Sequence, residues 1–345
     1  MSLINTRLQN MRAAGNLDKN ETRPSRYGAF DAFAQMTDQP GSIITKELKD
    51  KFAISIGNTF QTPVIDYDGG ISIGSTRSVT IADSENTSQL VTISATTYAF
   101  GFTIVPAVYM NNEIGQQADF ERKMLKYIYA LAVALDTAAV AKLSADKSQI
   151  FADALGYTVT SNVIQIPLAA REQALSDITP IMSANDYFGN LHIIGNGGVE
   201  ALTLKLKQSG IWNDVNLQME FLDKILHFST RIANEVADYG NFYAVTEGNL
   251  GILSRVERES LLGTKTADGH QWSVENLPVV GIPVGTYFYE SVGDFNAIAG
   301  AASADLTRAR KEHYGFAVDI AFVTAYNSAI ASKANPIAKV ALLKA

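Results

Sequence analysis

The chain has 345 residues and not one of them is cysteine. Structural disulfides, thiolate metal sites and cysteine nucleophiles are therefore excluded. Charge is scarce too: Asp, Glu, Lys and Arg make up 18% of the chain, where ~25% is usual for a soluble domain. A surface so poor in charge is either largely uncharged and polar or covered by other subunits. The net charge of -7 argues against a free nucleic-acid binder, whose footprint is basic overall. The first residues, MSLINTRLQNMRAAG, lack the apolar core of a signal peptide, so a cytosol is the expected place of synthesis. Repeats and low-complexity linkers are also missing.

Enzyme motifs are hard to find. His192, His227, His270 and His313 are far apart in the sequence, and none sits in a pairing of metal-site type. The segment IIGNGGVEAL places glycines between a strand and a helix, as phosphate loops do. It matches neither G-x-G-x-x-G nor the Lys-Ser/Thr loop, so a tight strand-to-helix turn is the better reading. Asp66-Tyr67-Asp68-Gly69-Gly70 begins like a calcium loop but lacks the later ligands. No Gly-x-Ser-x-Gly elbow occurs. The expectation is a protein that is not an enzyme, with no catalytic residue, no metal and no cofactor.

What the chain does have is one long helical pattern. Across residues 116–143, Phe120, Met124, Tyr127, Leu131, Leu135, Ala138 and Leu143 fall near one stripe, widened by Ile128, Val133 and Ala139. No Gly or Pro interrupts it, and good helix formers dominate. Its uncharged centre, residues 127–135, is bounded by Lys126 and Asp136. That is far short of the ~20 apolar residues of a membrane span.

Around this helix the patterning changes. Residues 1–30 carry five basic and two acidic residues, +3, which leaves -10 for the remainder. A basic, weakly patterned leader on an acidic body reads as an arm that orders against a partner. Residues 44–52 suit a short helix with Thr45 as N-cap. Residues 64–106 read as a projecting β-hairpin, with strands at 71–81 and 89–98, a polar tip, and a third strand at 100–105. These strands are small and hydroxyl-rich, too poor in apolar surface to cover a core. A two-stranded hairpin is marginal alone, so a neighbour is expected to support it. Further on, a strand is expected at 158–166, a helix at 168–183, and a strand–helix unit around Gly197-Gly198. Strands follow at 225–232, 242–245 and 278–289, with a charged, loop-like 255–272 between the last two. Residues 314–326 alternate, with Phe316, Val318, Ile320 and Phe322 on one face and Asp319 opposite, and 336–343 is a closing strand.

This order of elements, in an α+β chain, resembles the major capsid protein of tailed bacteriophages with the Hong Kong 97 type fold. The resemblance covers nearly the whole chain and rests on order and pattern rather than on a short motif. It implies an N-terminal arm and lead-in at 1–63, an extended β-hairpin loop at 64–106, and a peripheral domain with spine helix at 107–167. An axial domain at 168–295 and a return to the peripheral domain at 296–345 would follow. It also implies a structural subunit that self-assembles into hexamers and pentamers of an icosahedral shell around double-stranded DNA, held non-specifically. Portal and separate scaffolding proteins would be its partners. It would be assembled in a host bacterial cytoplasm and end in the virion, with no membrane contact. Arg77 in the hairpin and Glu121, Arg122 and Lys123 at the spine start are candidates for intersubunit contact. Some family members cross-link through a hairpin lysine, but no lysine lies between Lys51 and Lys123 here. The competing readings are an encapsulin-like compartment, a cytosolic α+β enzyme with a site near Gly195–Gly198 and His192, and a tail-tube or tail-sheath protein.

Overall fold

The structure, a computed structural model, describes residues 3–13, 27–55, 57–66, 87–109, 113–147, 155–208, 224–277, 280–295, 307–325 and 336–344. Three short helices come first: α1 (Leu3–Ala13), α2 (Gly28–Thr37) and α3 (Lys46–Ile54). A hairpin of β1 (Thr59–Asp66) and β2 (Thr87–Ser94) leads through β3 (Thr96–Ile104) to the long α4 (Glu113–Ala145). Then come β4 (Thr158–Thr160), β5 (Val163–Ile166), α5 (Ala174–Ser183), β6 (Leu191–Gly195), α6 (Gly197–Gln208) and β7 (Lys224–Phe228). The last third holds β8 (Asp238–Thr246), β9 (Leu250–Arg255), α7 (Arg258–Leu262), β10 (Gln271–Asn276), β11 (Pro283–Phe295), β12 (Thr307–Thr324) and β13 (Ile337–Leu343).

Helix α4 has 33 residues, longer at both ends than its sequence pattern. Phe120, Met124, Ile128, Leu131, Leu135, Ala139 and Leu143 are its buried stripe. Tyr127 and Ala138 sit half-buried beside it. The ring of Tyr127 stacks on Phe100 at 5.3 Å, an apolar body with a polar tip that can stay wet. Among the described residues this is the one helix long and apolar enough to cross a membrane by length and composition. Its stripe is instead part of the main core.

Two sheets flank it. Strand β12 has 18 residues and alternates in burial from Lys311 to Ile320, burying Glu312, Tyr314, Phe316, Val318 and Ile320. It pairs antiparallel with β3 along one edge and with β11 and then β9 along the other; β10 extends the sheet beyond β11. The second sheet runs β4-β5-β13-β8-β6-β7. One of its faces, with Leu191, Ile193, Phe242, Ala244 and Val340, packs on α5 and α6. The other, with Ile194, Tyr243, Val245 and Ile337, joins α1, α2, α4 and the five-stranded sheet in the main core.

Several expectations are corrected. Residues 158–166 are two strands, β4 and β5, because Ser161 and Asn162 take left-handed φ values of 51° and 63° and turn the chain back as a two-residue hairpin. The strand expected at 89–98 breaks at Ala95: β2 belongs to the hairpin and β3 to the five-stranded sheet. The partner of β2 in the described residues is β1, which begins earlier than expected; the strand at 71–81 and the hairpin tip lie outside the described residues. The segment 255–272 contains α7 rather than loop alone, and β9 before it was not foreseen. Strands β9, β10 and β11 join β12, whereas β13 lies inside the other sheet between β5 and β8. Alternation reveals which face of a strand is buried, not which strand it will pair with.

Candidate assembly elements

The hairpin is a two-stranded sheet of its own, in register from Thr59–Ser94 to Asp66–Thr87, and none of its described residues pairs with a body strand. Its root is anchored in two ways. Ile93 and half-buried Phe60 join a small apolar cluster with Ile44, Phe52, Ala95, Leu253 and Ala321. The second anchor is polar. Arg255, at the end of β9, sends Nη2 and Nε to Asp319 Oδ2 at 2.6 and 3.1 Å. Its Nη1 donates to the Ser55 and Gly57 carbonyls at 2.5 and 3.0 Å and to Ser55 Oγ at 2.8 Å. Asp319 Oδ1 accepts from Thr97 Oγ1 at 2.7 Å. The pair is nearly buried, with side chains 12% and 19% exposed, and the guanidinium lies over the Phe52 ring. The alternation of β12 placed Asp319 on its outer face; nothing local in the sequence singled out Arg255.

The N-terminal helix is docked, not free. Ile4, Leu8 and Met11 enter the main core, and Arg7 Nη2 reaches Glu312 Oε2 at 3.0 Å, with both side chains buried. Glu312 also accepts from Tyr314 Oη at 2.7 Å, Gln116 Nε2 at 3.3 Å and Arg310 Nη2 at 2.7 Å. Burial, and then the Glu312 carboxylate, push the Tyr314 phenol well above its ordinary range. A buried glutamate is stable only when its lone pairs are taken up this fully.

Helix α2 is held at its N-terminus by α4. Asp136, fully buried mid-helix, accepts from the Ala29 and Phe30 amides at 3.0 and 3.1 Å and from Ser229 Oγ. The free N–H groups of a helix start are natural partners for a carboxylate. Burial nevertheless raises the Asp136 pKa. Helix α3 carries the expected cap: Thr45 Oγ1 accepts from the Leu48 amide at 3.2 Å.

The four proposed contact residues are placed as follows. Arg77 lies outside the described residues. Glu121 accepts from Gln117 Nε2 at 3.0 Å. Arg122 is 85% exposed, and its nearest carboxylate, Asp119, is 3.9 Å away. Lys123 is engaged within the chain, with Nζ 2.7 Å from Asp119 and 3.0 Å from the Thr103 carbonyl. Burial works to raise the Asp119 pKa, but hydrogen bonds from Lys123 and Tyr109 outweigh it and hold it low.

The glycines that open α6 serve packing. A Cβ on Gly198 would lie 2.0 Å from the Tyr239 carbonyl oxygen and 2.7 Å from Gly240 Cα, so helix and strand touch there. Asn196 Oδ1 accepts from the Gly198 and Asn241 amides at 3.1 and 3.2 Å. The turn reading of this segment fits this geometry. His192 and His227, remote in sequence, meet on the adjacent parallel strands β6 and β7, Nδ1 to Nε2 at 2.9 Å. Burial lowers both; for His227 the neighbouring His192 adds to it and the value falls to about 3. Among the described residues no group of three or more His, Asp or Glu is arranged to hold a metal ion.

On the outer face of the five-stranded sheet, His270, Tyr289 and His313 form a row of stacked rings. Beside it Trp272 and Tyr287, with ring centroids 4.8 Å apart, border an open groove of about 420 Å³ floored by Ala99, Gly285, Gly315 and Ala317.

No protein-family model and no curated protein matches the chain. Solved structures do resemble it. One from Mycobacterium phage Bobi shares 14% identity over 94% of this chain and 93% of that one, with a TM-score of 0.48. One from Microbacterium phage Oxtober96 shares 14% identity over 90% and 98%, with a TM-score of 0.45. The capsid of Ralstonia phage GP4 shares 9% identity over 84% of each chain, with a TM-score of 0.42.

Proposed function

We propose that this chain is a shell subunit, the major capsid protein of a tailed bacteriophage with the Hong Kong 97 type fold. The observation that carries the reading is the hairpin. Among the described residues its two strands pair with neither of the other sheets and are anchored only at the root, and Leu90 on β2 is 64% exposed. Such a hairpin is marginal on its own and gains stability by lying on a neighbouring subunit. The element order agrees with that reading: arm helix, hairpin, long helix, mixed sheet, returning strands. On this reading α4 is the spine, and α4 with the five-stranded sheet makes the peripheral domain. The six-stranded sheet with α5 and α6 makes the axial domain. Copies of the chain would form hexamers and pentamers around double-stranded DNA, with portal and separate scaffolding proteins as partners, in a host cytoplasm.

Two details refine the proposal. Arg7 is already committed to Glu312, so contact of the arm with DNA would fall to the other four basic residues, Arg12, Lys19, Arg23 and Arg26. Arg122, exposed at the spine start, is the best placed of the described contact candidates to reach a neighbour. Each exposed ion pair contributes ~0–1 kcal/mol, so assembly would rest on apolar area and backbone pairing.

The test is to replace residues 67–86 by a two-residue Asn-Gly turn. The expected product keeps the circular dichroism and melting behaviour of the body but no longer builds particles when co-expressed with its scaffolding protein. Normal particles from the shortened chain would refute the role given to the hairpin. Particles filled with enzyme and free of DNA would turn the reading to an encapsulin-like compartment.

A further inference from the structure

Beyond its root the hairpin has no partner among the described residues, so its direction is decided where the chain enters and leaves it. The leaving side has little play. Ala95 alone separates β2 from β3, and its amide donates to the Asn58 carbonyl at 2.6 Å. The entering side is looser: Gly57 takes φ +114°, and a Cβ there would meet nothing within 4 Å. Among the described residues, polar ties from Ser55, Gly57 and Asn58 to the five-stranded sheet come from two side chains. Asn58 Nδ2 reaches Thr97 Oγ1 at a long 3.4 Å. Arg255 supplies the others, holding both the Ser55 and Gly57 carbonyls.

The strands that carry Arg255 and Asp319 do not need this pair. Arg255 and Asp319 stand directly opposite each other in a backbone ladder that extends to Thr324–Leu250. The guanidinium spends its remaining donors on carbonyls outside that ladder, in the segment that aims β1. Arginine suits this role because its planar fork fixes several directions at once, which a lysine ammonium does not.

We propose that Arg255 and Asp319 form a latch that sets the angle at which the hairpin leaves the body. Arg255 is thus a positioning residue: it acts on the lead-in to β1, and the hairpin follows. The consequence for assembly rests on the shell reading above. A hairpin aimed at the wrong angle would meet its neighbour in the wrong place, so the latch would tune the curvature at which subunits join.

The absence of cysteine makes the test direct. Gln61→Cys on β1 and Arg258→Cys on α7, both exposed positions, carry spin labels in the isolated chain, and pulsed dipolar spectroscopy reads their separation. With the latch intact the expected result is one narrow distance. Arg255→Lys and Asp319→Asn are each expected to broaden or shift it while far-ultraviolet circular dichroism stays unchanged. A lower melting temperature with an unchanged distance would mean that the pair only stabilises, and would overturn the latch. Should either variant fail to fold, Thr97→Val serves instead: it keeps the strand shape and removes the hydroxyl shared with Asp319 and Asn58, and the same broadening is expected. Assembly is read separately on the Arg255→Lys chain. Altered particle sizes beside uniform wild-type particles support the link to curvature, and identical sizes despite a shifted distance overturn it. A wild-type chain that forms no particles contradicts the shell reading and leaves the distance result standing.

Discussion

Asp136 occupies the middle of a long apolar helix, where an acid would normally be expelled, and it stays because α2 begins there. Two backbone amides and a serine hydroxyl converge on its carboxylate, which offsets much of the desolvation that raises its pKa. Asp136→Ala would strand all three donors, and a loss of roughly 2–3 kcal/mol is expected, read as a lower urea midpoint at unchanged slope. A loss within error would mean that water replaces the carboxylate at no cost. The histidine pair titrates in the opposite sense. Both pKa values lie below the ordinary ~6.5, so the unfolded chain takes up protons first as pH falls. The pair's contribution is complete above about pH 6.5 and is lost toward the folded value, about 3 for His227. Between pH 6.5 and 5 the unfolding free energy is expected to fall by up to about 1.4 kcal/mol per pH unit for each histidine. His227→Gln keeps a polar partner for His192 without titrating, and should remove one histidine's share of that slope. An unchanged slope would assign the pH dependence to other groups.

At the scale of elements, local periodicity was informative and pairing was not. The stripe on α4 and the alternation on β12 were both visible in the sequence, because each period is repeated over enough residues to be unmistakable. The break inside 158–166 was hidden because Ser161 and Asn162 take the left-handed conformation without a glycine to announce it. Strand β9 was missed because Leu250–Leu253 is buried on both faces, and a short continuous apolar run has no period to read. The contact between His192 and His227 depended on a parallel pairing that no local pattern specifies. Of the candidate site, the spine and the second hairpin strand were legible, whereas β1, Arg255, Glu312 and Asp136 were not, since each acquires its role from residues far along the chain. The two glycines that open α6 offer a matched test at this scale. Gly198→Ala drives a Cβ into backbone atoms of β8, which no rotamer change can relieve, and a cost of about 2–3 kcal/mol is expected. Gly197→Ala meets nothing within 4 Å and should leave the denaturation midpoint almost unmoved. Equal effects of the two would show that the close approach to β8 does not decide this turn.

For the molecule as a whole, the distribution of surfaces is the informative property. Both sheets are covered where they face α4 and where the second faces α5 and α6. Exposed apolar side chains include Ile54 at the end of α3, Leu90 on β2, Phe188 before β6, Leu204 on α6, Val236 before β8, Leu261 and Leu262 on α7, and Val292 on β11. A low charge density and such exposed apolar side chains suit a subunit with several neighbours. The hairpin has no lysine, so on the shell reading particles boiled in SDS should run as a single 37.3 kDa band, and a ladder of multiples would reveal a cross-link formed by other residues. The measurement that bears most directly on the shell reading is size: light scattering on the purified chain, with negative-stain microscopy of the same fraction. Closed megadalton particles, or hexamers and pentamers that close when scaffolding protein is supplied, are predicted. A monodisperse monomer or dimer that stays small alongside its scaffolding partner would contradict it.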